Sequence, residues 1–195
     1  MRKLVVAIIA ALVAAMPCSL PAELPAAGAL RNAPSSLLIP LEQRTVRDLI
    51  DYALAGMMTH TEPNLLGSEA RILALDSAKV EVQTSPGRVL TIHLLPLKKK
   101  TVYCVIETLG GDFTDSSLTL YDSDWTPLPK LWSEPAASAW GKIDSQEPPI
   151  VMAEYSFDPT SGILTLTNTG EEREKMLPFL RYVWTAKGFK PLKQK

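Results

Sequence analysis

Four aspartates come closest to having spacing suited to chemistry. Asp112 and Asp115 lie in GGDFTD, and Asp122 and Asp124 lie in YDSDWTP. Carboxylates this close in loops can hold calcium through oxygen ligands, or share acid and base roles in hydrolysis. An EF-hand loop needs further oxygen ligands and a glutamate at fixed spacing, and those are missing here. Aspartate and serine are also favoured in tight turns, because their side chains bond the nearby backbone. Turn chemistry is the expected role, with no metal and no cofactor. Trp125, Trp132 and Trp140 fall in the same half of the chain. They could stack on sugar rings or on a protein, or cover a core beneath irregular loops. The four aspartates and three tryptophans together form the candidate interaction surface.

The other reactive residues are sparse. Cys104 sits mid-strand in TVYCVIETL, without a local base or a glycine turn to expose it. A nucleophilic thiol needs both, so Cys104 is expected to act as a small buried hydrophobe. His60 and His93 do not form a close pair of the kind zinc sites use. Lys98, Lys99 and Lys100 make a basic run at a strand connection, which keeps an edge solvated. Nucleic-acid binding would want a wider basic face, and the formal net charge is only −1. No Walker loop, G-x-G-x-x-G or G-x-S-x-G is present. No catalytic constellation emerges, and the protein is expected not to be an enzyme.

The elements that would position these residues begin after a leader. Arg2 and Lys3 precede an unbroken apolar run, Leu4 to Ala15. That order is the pattern of a secretory signal peptide. Twelve helical residues span only about 18 Å, short of a hydrocarbon core of about 30 Å, so no permanent transmembrane span is expected. Cleavage after Ala22 has a small residue at the last position but the large Leu20 two before it, and cleavage after Ala27 is the second option. Cys18 raises lipidation, but Met16 and Pro17 stand where a lipobox wants small residues. Simple export to the periplasm, envelope or exterior is favoured. Cleavage after Ala22 leaves Cys104 as the single thiol, so no internal disulfide can form and the fold must rest on its core.

Residues 23–40, rich in Ala, Pro and Leu, are expected to be an extended N-terminal arm. Val46, Leu49, Ile50, Ala53, Leu54 and Met57 then form one helical stripe over Thr45 to Met58, with Thr45 as its cap. From Ala70 to Pro129, short apolar runs alternate with turn residues five times, the signature of an antiparallel meander. Its strands are predicted over 70–75, 78–84, 88–95, 101–109 and 116–121. Thr101 to Leu109 is apolar on both faces and is expected at the centre. Pro127 to Pro149 reads as a crossover over the sheet. Two hairpins follow, 150–157 with 163–168 and 181–185 with 189–192, separated by a short charged turn near Glu171.

Three segments carry a family resemblance: DSSLTLYDSDWTPLP (Asp115 to Pro129), RTVRDLIDYAL (Arg44 to Leu54) and KMLPFLRYVWTAKGFKPL (Lys175 to Leu192). The chain resembles an uncharacterised secreted-protein family of Bacteroidetes bacteria, a domain of unknown function. The resemblance implies a signal peptide, a helix and a meander. It implies no activity, substrate or catalytic residue.

The expected architecture is α+β: an antiparallel β-meander sheet of about seven to nine strands with one main amphipathic helix packed on it. The alternative is a β-sandwich or partly closed barrel. Residues 1–22 are the signal peptide, 23–40 the arm and 41–195 a single domain. The expected role is a non-enzymatic binding or accessory module of the cell envelope, with a protein or glycan partner and no nucleic acid. A structural accessory domain comes second, and an Asp-dependent or calcium-dependent hydrolase third.

Overall fold

The computed structural model describes residues 23–111, 113–141, 150–171 and 173–193. The leader over 1–22, Cys18 and Asp112 lie outside the described residues. Among the described residues ten strands form two antiparallel sheets, one of six strands and one of four. The expected single sheet of seven to nine strands is therefore corrected to two sheets, and neither closes into a barrel. The first sheet runs in chain order: β1 (Glu62–Pro63), β2 (Glu69–Leu75), β3 (Lys79–Ser85), β4 (Arg88–Leu97), β5 (Lys100–Leu109) and β6 (Asp115–Tyr121). The second has the order β10-β9-β8-β7, built from β7 (Ala153–Asp158), β8 (Ile163–Asn168), β9 (Phe179–Thr185) and β10 (Gly188–Pro191).

Alternation along the strands decides what each face of the first sheet meets. Val80 and Val82 pair with Ile92 and Leu90, and Ile92 pairs with Val105. That face carries the helices and forms one core with them. The opposite row, Leu95, Val102, Cys104, Ile106, Leu118 and Leu120, packs on Tyr155, Leu164, Leu166 and Phe189 of the second sheet. The result is three layers: helices, six strands, four strands. β5 lies between β4 and β6 with buried residues on both faces, as its unbroken apolar composition predicts.

The helical layer differs from expectation in two places. The segment expected as an extended arm is folded. Pro25–Arg31 forms helix α1, and Ser35–Leu38 forms one turn, α2. Pro25 suits the first helical position and alanine is the best helix former. Ala26, Ala27 and Leu30 are buried in the helix-side core. Without large apolar residues the period is too weak to read from sequence. Helix α3 covers Gln43–Leu54, earlier than Thr45–Met58, and begins without a side-chain cap. Gly56, at φ 82, ends it, and Met57 N–H donates to Tyr52 O across the turn. β4 runs through Pro96, where a strand end is expected. Leu94 N–H donates toward β3, to Ala78 O, so the N–H that Pro96 lacks would face the side where β3 has already ended.

Candidate functional site

The second sheet covers only part of the first. β7 crosses it diagonally. Ala153 N–H donates to Asp115 Oδ1 and Tyr155 N–H to Ser116 Oγ, both at 3.2 Å, beside the start of β6. Two residues on, the Phe157 ring meets His93 of β4 edge-on, with centroids 5.1 Å apart. Between the edge of β7 and the face of β3–β5 a cleft of ≈ 310 Å³ opens. Its floor carries Lys79 and Glu81 of β3, Val89, Thr91 and His93 of β4, and Ile106 and Thr108 of β5. Its wall is Glu154 to Phe157.

The Ser85-Pro86-Gly87 turn sets this floor. It holds β3 and β4 in a register that pairs Lys79 with His93 and Glu81 with Thr91. The polar row of β3 therefore lies beside the mixed row of β4 on the face away from the helices. Lys79 Nζ and Glu81 Oε2 pair at 3.0 Å, so the charges of the floor cancel. His93 is 5% exposed, and its Nδ1 is buried without a hydrogen-bond partner. Burial pushes the imidazole pKa down to about 4, and Lys79 adds to the effect while Glu81 and Asp76 oppose it. His93 is therefore a neutral ring at the inner end of the cleft.

An apolar and aromatic group backs the wall. Phe157 meets Phe189, which meets Trp132 and Trp184 in T-shaped contacts. Trp132 also meets Tyr155 and Tyr182. Tyr155 Oη donates to Glu134 Oε1, and burial followed by that carboxylate raises its pKa. Trp184 Nε1 donates to Pro96 O at 2.8 Å, tying β9 to the far end of β4.

Residues 28–189 match the family model described as "Protein of unknown function (DUF3256)". The chain belongs to that family. A solved domain of an uncharacterized protein from Porphyromonas gingivalis W83 shares the fold, with a TM-score of 0.67 over 86% of this chain and 98% of that one. The two are 21% identical, so the likeness speaks to fold alone. No curated protein matches the chain. The family and the neighbour are both uncharacterised, and neither indicates an enzymatic or other specific function.

Those residues singled out from the sequence that the structure describes do not gather at one place. Asp115 starts β6 and Asp122 follows its end, so the strand separates them. Asp115 is spent on Ala153 N–H. Asp122 Oδ1 accepts from Asp124 N at 3.0 Å and Thr126 N at 2.9 Å, which is turn chemistry. Asp124 is exposed on that turn. Trp125 packs on Tyr103 and Tyr121 at the helix-side core. Trp140 is buried, and Trp132 packs with it on the other side of the sheet, in the core shared with β7–β10. Cys104 is fully buried and burial raises its pKa, which makes it an inert packing residue. Among the described residues no group of His, Cys, Asp or Glu is placed to hold a metal, and no helix is long and apolar enough to cross a membrane. The cleft itself was missed. The available signal was a histidine on the polar side of a strand whose register neighbours are Lys79 and Glu81.

Proposed function

We propose that this domain is a non-enzymatic binding module that acts after export, in the cell envelope, and engages a protein or glycan through the cleft between its two sheets. The carrying observation is His93: a nearly buried, neutral imidazole with an unpartnered nitrogen, at the inner end of an open cleft. A buried polar atom left unmatched costs about 1–3 kcal/mol, and a ligand recovers it where the ring turns that nitrogen toward the cleft. A concave site with a small number of convergent polar groups is what small binding sites use. The thiol most open to nucleophilic chemistry by type is sealed in the core, and the Lys79–Glu81 pair satisfies itself. Export rests on the basic and apolar order of the leader.

The test uses the chain expressed from residue 23, screened against a glycan panel and a peptide panel. A companion protein, Thr91→Trp, fills the cleft. Binding by the parent that drops at least ten-fold in Thr91→Trp is expected. Hydrolysis of panel members, or binding indifferent to Thr91→Trp, would overturn the reading.

A further inference from the structure

The outer edge of β7 bears on which partner the cleft takes. Among the described residues β7 is the last strand of its sheet, paired with β8 alone. The Ala153 and Tyr155 N–H groups point away from β8, toward Asp115 and Ser116. Strand alternation then puts the N–H and C=O of Phe157 on that same outer edge. No hydrogen bond to either group exists among the described residues. The edge is thus closed by side chains over its first half and open at Phe157, where it walls the cleft.

We propose that the cleft takes an extended peptide segment, which adds to β7 as a fifth strand with one residue paired to Phe157. This rests on the binding-module reading and names its partner class. A donor and an acceptor on one residue of an edge strand match one residue of an antiparallel neighbour, by two backbone hydrogen bonds. Closure of the preceding N–H groups by Asp115 and Ser116 leaves that register as the open one. Successive peptide side chains would alternate, one row toward Val89, Thr91 and His93, the other toward solvent. The floor has no net charge, because Lys79 and Glu81 pair and His93 is neutral. It suits small apolar or hydroxyl side chains, and a hydroxyl can partner the imidazole. Glu154 faces outward from the same wall and makes no ion pair among the described residues. A lysine or arginine in the solvent row complements it. The peptide class is therefore alternating, uncharged on one side and basic on the other.

The experiment screens the chain from residue 23 against a phage library of random seven-residue peptides, with a glycan panel in parallel. Expected are enriched peptides that alternate as described. The best one should slow hydrogen exchange of the Phe157 amide at least ten-fold. It should bind at least ten-fold more weakly to Thr91→Trp, and to Phe157→Pro, which removes the edge donor. Near-UV circular dichroism confirms that each variant is folded. Peptides that bind without protecting Phe157, or equally well to Thr91→Trp, overturn the inference. Glycan binding lost in Thr91→Trp, with no peptide enriched, overturns the peptide while the binding module stands. Silence in both screens overturns both.

Discussion

The two faces of the six-stranded sheet are covered in different ways. On one, α1 and α3 lie over Ile72, Val80, Val82, Leu90 and Ile92 as a continuous apolar layer. On the other, a four-stranded sheet crosses diagonally and stops at β7, leaving the outer strands polar. A helix pair follows the sheet across its width, whereas a second sheet ends at an edge strand with its own unsatisfied backbone. The open site arises where the second kind of cover runs out. The helix-covered face is expected to carry stability with no ligand, and the sheet-covered face to carry stability at its centre and recognition at its rim.

The sharpest way to break that comparison is to lift the second sheet. Gly188 begins β10 at φ 89, a conformation that side chains rarely adopt. A Cβ there would overlap the Leu131 backbone, and Phe189 N–H donates to Leu131 O at 3.0 Å. Gly188→Ala should cost upwards of about 3 kcal/mol, since strain and backbone overlap add. Urea unfolding measures it. A loss under 1 kcal/mol would mean that this contact does not hold β10 in place.

Neighbouring residues of β4 compare the faces directly. Ile92 is fully buried under the helices, and Thr91 floors the cleft. Ile92→Ala should lose about 3 kcal/mol through lost burial and a cavity. Thr91→Ala should stay within about 1 kcal/mol, as a half-exposed site does. Equal losses would mean that the cleft face is as closed as the helix face.

His93 gives the comparison a pH dependence. Its folded pKa, about 4, lies below the ordinary histidine value of 6.5. Between those values the unfolded chain binds the proton that the folded chain excludes, so stability falls as pH drops from 6.5 toward 4. The gap between the two values corresponds to about 3 kcal/mol when complete. Urea unfolding at pH 7.5 and 4.5 should therefore show a fall about 2 kcal/mol larger for the parent than for His93→Gln. Parallel pH curves would place the imidazole in solvent and remove the basis for the cleft.

The meander was legible because its strands are short and its turns are built from Gly, Pro, Asp and Ser. The Thr101 to Leu109 pattern identified a strand covered on both faces and with it the fate of Cys104, although the strand lies next to the edge strand β6 and not at the centre of its sheet. The second sheet's hairpins were legible as hairpins. Their separation from the meander was not, because nothing local in Ala153 to Asp158 says whether it pairs with β6 backbone or only accepts help from the Asp115 and Ser116 side chains. The α1 helix was hidden by its own means of packing: alanines approach the sheet closely and leave no apolar stripe to count. The aspartates and tryptophans drew notice by type. The cleft depends instead on how far β7 reaches across β4, a tertiary quantity absent from any local pattern.

The smallest effects separate turn chemistry from a calcium site. Asp122→Ala removes the acceptor for Asp124 N–H and Thr126 N–H and should cost about 1 kcal/mol. Asp124→Ala, at an exposed position, should stay within about 0.5 kcal/mol. Asp115 and Asp122 flank opposite ends of β6, so they cannot share an ion. Millimolar calcium should therefore leave the Tm of the parent unchanged. Binding to the folded form alone at one hundred times Kd would add about 2.7 kcal/mol, which a melting curve resolves easily. A calcium-dependent rise lost in Asp122→Ala would return these loops to the functional surface and move the site from the cleft to the end of β6.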